Sequence, residues 1–137
     1  MKIVLNKDSM AIQKEQDVVM FRNRVKEFAV KIGMGLVNQT KLITAASELV
    51  RNMLKYGGGG TVLIEAISET KNTGIRLTFT DQGPGIKDID LAMKDGFSTG
   101  KSLGIGLPGT RRLVNEFTID SKPGNGTRVS IVKWKNG

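Results

Sequence analysis

The chain has 137 residues, 21 Lys and Arg against 13 Asp and Glu, and neither cysteine nor histidine. The missing cysteines exclude disulfides, thiol nucleophiles and Cys-ligated zinc, and the missing histidines exclude a Ser-His-Asp triad and His-ligated metals. A general base must then be a carboxylate or an amine, and any metal a hard, oxygen-preferring ion such as Mg²⁺. The formal charge of +8 points to an anionic ligand or partner, to nucleic acid, or to a solvated basic surface. The N-terminus lacks the apolar run of a signal peptide, and no stretch is long enough to span a membrane, so a cytoplasmic domain is expected.

Lys2–Asn6 reads as a short strand, followed by Asp8 or Ser9 as a helix cap. Val18, Phe21, Val25, Phe28, Ala29 and Ile32 recur at helical spacing, which predicts an amphipathic helix over 10–32, stopped by Gly33 and Gly35. Asn38 is the candidate cap of a second helix reaching Tyr56, with the stripe Leu42, Ala45, Ala46, Leu49, Val50 and Met53, ended by Gly57–Gly60. Thr61–Glu69 and Ile75–Asp81 read as strands joined by a turn at Asn72-Thr73-Gly74. A polar, Gly-rich segment from Gln82 to Leu103, with a short helix near Asp88–Lys94, is too long for a mere connection. A third helix runs from Gly104 or Gly106 to Phe117, and Phe117–Ser121 and Thr127–Trp134 form a last hairpin. Strands joined by short turns and helices gathered between them predict an α+β two-layer sandwich, with a mixed, mostly antiparallel sheet and helices on one face.

The 17 glycines fall in clusters between apolar stretches, and two clusters imitate well-known motifs. Gly104-Ile105-Gly106-Leu107-Pro108-Gly109 matches G-x-G-x-x-G, but the polar residues before it cannot be the buried strand a dinucleotide fingerprint requires. Gly100-Lys101-Ser102 ends like a P-loop, yet Asp95 stands where the first glycine belongs. What survives is a helix mouth with uncrowded backbone amides and a nearby lysine, a setting that suits phosphate oxygens.

Three pieces carry chemistry. Glu48 and Asn52 lie four apart on the second helix, either as surface polar residues or as a carboxylate base beside an amide oxygen for Mg²⁺. Asp81-Gln82-Gly83-Pro84-Gly85-Ile86 follows an alternating strand as a tight turn, with a carboxylate able to read an amino group. The third piece is Gly100–Gly109.

In this order the pieces resemble the Bergerat-type ATP site of the gyrase, Hsp90, histidine-kinase and MutL (GHKL) superfamily. Glu48…Asn52 resembles its N box, Asp81-x-Gly83-x-Gly85 its first glycine box, Gly104-x-Gly106-Leu107 its second, and Gly126-Thr127 its last. With Asp95-Gly96-Phe97-Ser98-Thr99 and Pro108-Gly109, the chain is most similar to the anti-sigma-factor serine/threonine kinases, and among them to the stressosome switch kinases of RsbT type. The resemblance implies one ATP-binding kinase domain over 1–137. It implies Glu48 as general base, Asn52 as Mg²⁺ ligand, and Asp81 on the adenine amine with Gly83 and Gly85 shaping the turn. It further implies Gly104 and Gly106 amides on the phosphates beside Leu107, and Thr127 at the adenine end. Lys101 is either a phosphate partner or a solvated lid lysine.

The implied substrate is a STAS-domain antagonist protein, and the implied second partner a PP2C-type phosphatase that the kinase activates. A non-catalytic, nucleotide-dependent anti-sigma-type regulator is the alternative. Nucleic acid and membrane are not expected partners: 5% aromatic content offers little for base stacking.

Overall fold

The computed structural model describes residues 1–85, 93 and 106–137. In chain order, β1 (Ile3–Ile12) leads to helices α1 (Glu15–Lys31) and α2 (Leu36–Gly57). The hairpin β2 (Gly60–Glu69) and β3 (Asn72–Asp81) follows, then helix α3 (Gly106–Leu113) and the hairpin β4 (Glu116–Ser121) and β5 (Thr127–Trp134). The strands form one sheet in the order β1-β2-β3-β5-β4, antiparallel at every junction. The α+β sandwich expected from the sequence is the observed architecture, and all of its described pairings are antiparallel.

Alternation along the strands sends Val62, Ile64 and Ala66 of β2, Ile75, Leu77 and Phe79 of β3, and Val129 and Ile131 of β5 into the core beneath the helices. α1 answers with Val18, Phe21, Val25, Phe28 and Ala29, and α2 with Leu42, Ala45, Ala46, Leu49, Val50 and Met53. Phe21 is fully buried and meets Phe79 edge-on at 5.8 Å between centroids, which ties α1 to the middle of the sheet.

The opposite face of the sheet is not simply solvated. Ile67 is fully buried there, and the guanidinium of Arg76 donates from Nε and Nη2 to the two carboxylate oxygens of the buried Glu65, at 2.8 and 3.1 Å. The Lys2 ammonium lies 3.4 Å from Glu69 on β2 and 3.2 Å from Glu116 on β4, so one side chain ties together strands on both sides of β3 and β5.

Several boundaries differ from expectation. β1 runs on to Ile12, because an edge strand needs only one paired side and tolerates the polar run Asn6–Ser9. Asp8 does not cap a helix: its carboxylate accepts from Arg24 Nε at 2.8 Å, joining β1 to α1. The start of α1 is instead held by Asp17, whose carboxylate accepts the backbone N–H groups of Gln13 and Lys14 at 2.9 and 3.1 Å. Helix α2 begins at Leu36 with Gly35 at the cap position, and Asn38 spends its amide on the Lys135 carbonyl at 3.1 Å.

The β2–β3 turn is tighter than expected, with Glu69 opposite Asn72 and Thr70 in a left-handed conformation at φ 55. Gly74 lies within β3, where a Cβ would come within 2.7 Å of the Trp134 ring. Helix α3 stops at Leu113, since Phe117 is drawn into β4 opposite Ile131. The helix expected near Asp88–Lys94 falls on residues outside those described, apart from Met93.

Candidate nucleotide site

α2 is one uninterrupted helix of 22 residues, long enough to carry core contacts in its middle and polar groups at its end. Glu48 sits in its third quarter and is 8% exposed, an unusual burial for a carboxylate on a helix that faces a sheet. Its Oε1 is 3.6 Å from the Arg51 guanidinium, which is itself largely exposed. One turn on, Asn52 is half-buried, and no hydrogen bond to its amide is found among the described residues. The side chains expected to work together thus share a helix face at the margin of the core.

The helix ends against the strand that carries Asp81. A Cβ on Gly57 would lie 2.5 Å from the Asp81 carboxyl carbon and 2.7 Å from Oδ2, so only glycine leaves the carboxylate its place. Asp81 Oδ1 accepts the Gly83 N–H at 2.9 Å, which fixes the carboxylate and folds the turn back on itself. Gly83 in turn approaches Gly57, where a Cβ would stand 2.6 Å from the Gly57 Cα. Helix end and turn are packed backbone on backbone, with Asp81 between them.

The last hairpin completes this end. Asp81 stands opposite Thr127 in the β3–β5 register, and the Thr127 hydroxyl is 2.8 Å from the Ser121 hydroxyl, which also donates to the Gly126 carbonyl at 3.1 Å. Gly126, at φ 79, presses on the Asp81 carbonyl so closely that no side chain fits. Gly85, at φ 78, is held against the Lys122 carbonyl, and the Gly124 N–H donates to the Pro84 carbonyl at 2.7 Å. An open groove of about 230 Å³ borders this hairpin on the sheet face away from the helices, where Thr80, Arg128 and Asp120 stand in one register row, so it is not the space between Asp81 and α2.

Helix α3 opens with Gly106 at φ 69, and the buried Thr110 hydroxyl donates back to its carbonyl at 2.9 Å. Leu107 packs on the core and seats the start of the helix beside α2. Lys101 and Gly104 lie outside the described residues.

The structure therefore brings Asp81, Gly83, Gly85 and Thr127 together at one end of the sheet, with Glu48 and Asn52 on the helix that reaches it. Sequence reasoning took Gly57 as a helix stop and missed its contact with Asp81. The signal was a run of four glycines where a left-handed cap needs one, a role that Gly58 fills at φ 73. Ser121 was also missed, and nothing in its sequence context marks it.

Among the described residues no cluster of three or more carboxylates is placed to hold a metal. The donor set at this end, one amide oxygen beside one carboxylate, fits a magnesium ion that draws most of its ligands from phosphates and water.

Residues 37–136 match the model of the family described as histidine kinase-, DNA gyrase B- and HSP90-like ATPases. The chain belongs to this family. It is 43% identical over 123 residues to the serine/threonine-protein kinase RsbT of Bacillus subtilis (strain 168), covering 90% of this chain and 92% of that one. It is 31% identical over 130 residues to the anti-sigma F factor of Thermoanaerobacter sp. (strain X514), covering 90% and 89%. In structure it resembles the RsbU and RsbW domains of a Mycobacterium tuberculosis protein, with a TM-score of 0.66 at 18% identity, over 93% of this chain and 32% of that one. The last likeness is one of fold alone; the family model and the sequence relatives place the chain among the ATP-binding kinases of sigma-factor regulation.

Proposed function

We propose that residues 1–137 act as one kinase domain that transfers the γ-phosphoryl group of ATP to a serine or threonine hydroxyl of a STAS-domain antagonist protein. The observation that supports this most is the burial of Glu48 on the same helix that ends against Asp81. A carboxylate costs free energy to bury, and in this reading Glu48 is kept there to take a proton from an incoming hydroxyl.

In this reading Asp81 accepts a hydrogen bond from the adenine amine, with Gly83 and Gly85 keeping the turn close to the base and Thr127 at the same end. The Gly104 and Gly106 amides, seated by Leu107, meet the phosphates, with Lys101 adding a positive charge. Asn52 offers its amide oxygen to Mg²⁺, which when bound supplies neutralising charge to the phosphate oxygens. Glu48 takes the proton of the acceptor hydroxyl as its oxygen bonds to phosphorus, and ADP leaves with the electron pair of the broken bond. Little covalent chemistry falls to the protein, so positioning is its main contribution.

The 43% identity to a serine/threonine kinase supports phosphorylation, and the similarity to anti-sigma F factors supports exchange between partners. A PP2C-type phosphatase is the proposed second partner, activated when phosphorylation releases the kinase. A cytoplasmic location is part of the same proposal; among the described residues no helix is long and apolar enough to cross a membrane.

The test is transfer of radiolabel from [γ-³²P]ATP to a purified STAS-domain partner, with and without Mg²⁺. Wild-type protein should label the partner and Glu48→Ala should not; labelling unaffected by Glu48→Ala removes that residue from its role. The anti-sigma F similarity also supports a second reading, a regulator that uses nucleotide only to set partner affinity. There, signalling survives Glu48→Ala and is abolished by Asp81→Asn.

A further inference from the structure

The far end of α2 carries a feature that the kinase reading does not use. The α1–α2 corner gathers Lys31, the last residue of α1, with Lys41 on the second turn of α2 and Lys133 and Lys135 at the end of β5. Lys41, Lys133 and Lys135 are neighbours in space as well, and Lys31 ends α1 two residues before Gly33. The Lys135 ammonium would be 3.5 Å from a Cβ on Gly33, in the turn between the helices, and the Lys135 carbonyl accepts from Asn38. Lys41 faces Lys133 closely enough to help lower its pKa, alongside burial.

Among the described residues none of the four makes an ion pair. Lys133 is 3% exposed, and its ammonium donates to the Gly137 oxygen at 3.0 Å, which leaves the exposed Lys31 and Lys41 and the half-buried Lys135 as the unpaired charges of the corner. Like charges gathered without counter-charge repel one another, and the fold gains nothing from them. Beside them stand the two most exposed aliphatic side chains of the helices, Leu36 at 76% and Val37 at 69%. Val37 and Lys41 are one turn apart and share a helix face. The first turn of α2 has no acidic residue to soften this charge.

We propose that this corner is a docking surface for an acidic segment of a protein partner, one that presents aliphatic side chains to Leu36 and Val37 and carboxylates to Lys31, Lys41 and Lys135. Charge complementarity selects the sign of the partner, and the aliphatic pair selects a polypeptide over a nucleic acid, because no aromatic side chain or arginine lies in the patch to stack on bases. From Leu36 to Asn52 the helix rises roughly 24 Å, so a segment bound here leaves the nucleotide end uncovered. The surface is thus distinct from the one that must admit a phospho-acceptor hydroxyl, and it does not depend on the kinase reading.

The experiment uses the full chain and a fluorescein-labelled helical peptide of 18 residues, with leucines at i, i+4 and i+7 flanked by glutamates. Binding is followed by anisotropy at 50 and 200 mM salt. The wild type should bind the peptide, more weakly at the higher salt, and Lys41→Glu/Lys135→Glu and Leu36→Ser/Val37→Ser should each weaken it at least tenfold. Binding of a fluorescent ATP analogue, measured alongside, should be unchanged in both variants, which shows that they are folded. The proposal is overturned by no peptide binding, by equal binding of a peptide with every glutamate replaced by lysine, or by variants that bind as the wild type does. Tighter binding to duplex RNA or to vesicles containing 30% phosphatidylserine than to the peptide overturns it as well.

Discussion

The Asp81 carboxylate occupies the space that a side chain on Gly57 would need. The two residues are 24 positions apart, one closing a helix and the other closing a strand, and their fit sets the geometry of this end of the molecule. Gly57→Ala therefore tests the site without touching a polar group. Alanine favours helix by about 1 kcal/mol over glycine, so the expected loss of stability is small. The expected loss of affinity for ATP is at least tenfold, about 1.4 kcal/mol, because the carboxylate must swing away. Calorimetric titration with a non-hydrolysable analogue, beside a melting curve, measures both; an unchanged affinity would falsify the assignment of Asp81.

Glu48 and Asp81 should separate chemistry from binding. Glu48→Gln preserves shape and removes the base, so phosphoryl transfer should fall by about 10²- to 10⁴-fold while nucleotide affinity stays within threefold. Asp81→Asn should do the reverse, raising the Kd for ATP at least tenfold. Single-turnover transfer at saturating ATP distinguishes them, since only the Glu48 variant remains slow when the site is full.

The Glu65–Arg76 pair on the far face of the sheet gives a stability prediction. Arg76→Met strands a buried carboxylate and should cost about 3–5 kcal/mol, whereas Glu65→Met/Arg76→Met should recover most of that loss. Urea denaturation of the two single variants, the double variant and the parent closes the cycle. A double variant no more stable than Arg76→Met would show that the pair is needed for packing rather than for charge balance.

Lys133 gives a pH dependence of definite sign. Burial, with the Lys41 ammonium acting in the same direction, holds its pKa below the ordinary 10.5. The folded chain then binds this proton less readily than the unfolded chain, so its contribution rises with pH between the depressed value and about 10.5 and is a constant cost below that window. Lys133→Met should gain most over the parent at pH 7 and progressively less as the pH approaches 10.5. Melting temperatures at pH 7, 9 and 10 check this, and a gain that grows with pH contradicts it.

The helices and the central strands were legible because Val18–Ile32 and Leu42–Met53 repeat at helical spacing and Ile75–Asp81 alternates. The ends of elements were not. β1 hid its second half behind Asn6–Ser9, since an edge strand is held by backbone pairing to β2 and needs no apolar side chains. Asn38 looked like a cap because its amide suits one, but a tertiary acceptor, the Lys135 carbonyl, took it. At the site, Asp81, Gly83 and Gly85 could be read because one turn holds them all. The contact of Gly57 with Asp81 could not, because long-range backbone approach leaves only a glycine behind and a helix stop accounts for a glycine equally well.

The order of strands has a bearing on how the protein is made. β5 follows β4 in the chain, yet it is inserted between β3 and β4 and brings Thr127 opposite Asp81. A nascent chain can close the β2–β3 hairpin early and set Asp81 opposite Gly60, but β4 has no neighbour and Asp81 lacks its second cross-strand partner until β5 arrives. Such non-local pairing forms late and slowly. The Gly126–Thr127 side of the proposed nucleotide site therefore forms only when the β4–β5 hairpin docks on β3, and a molecule cut between β3 and β4 would lack that side.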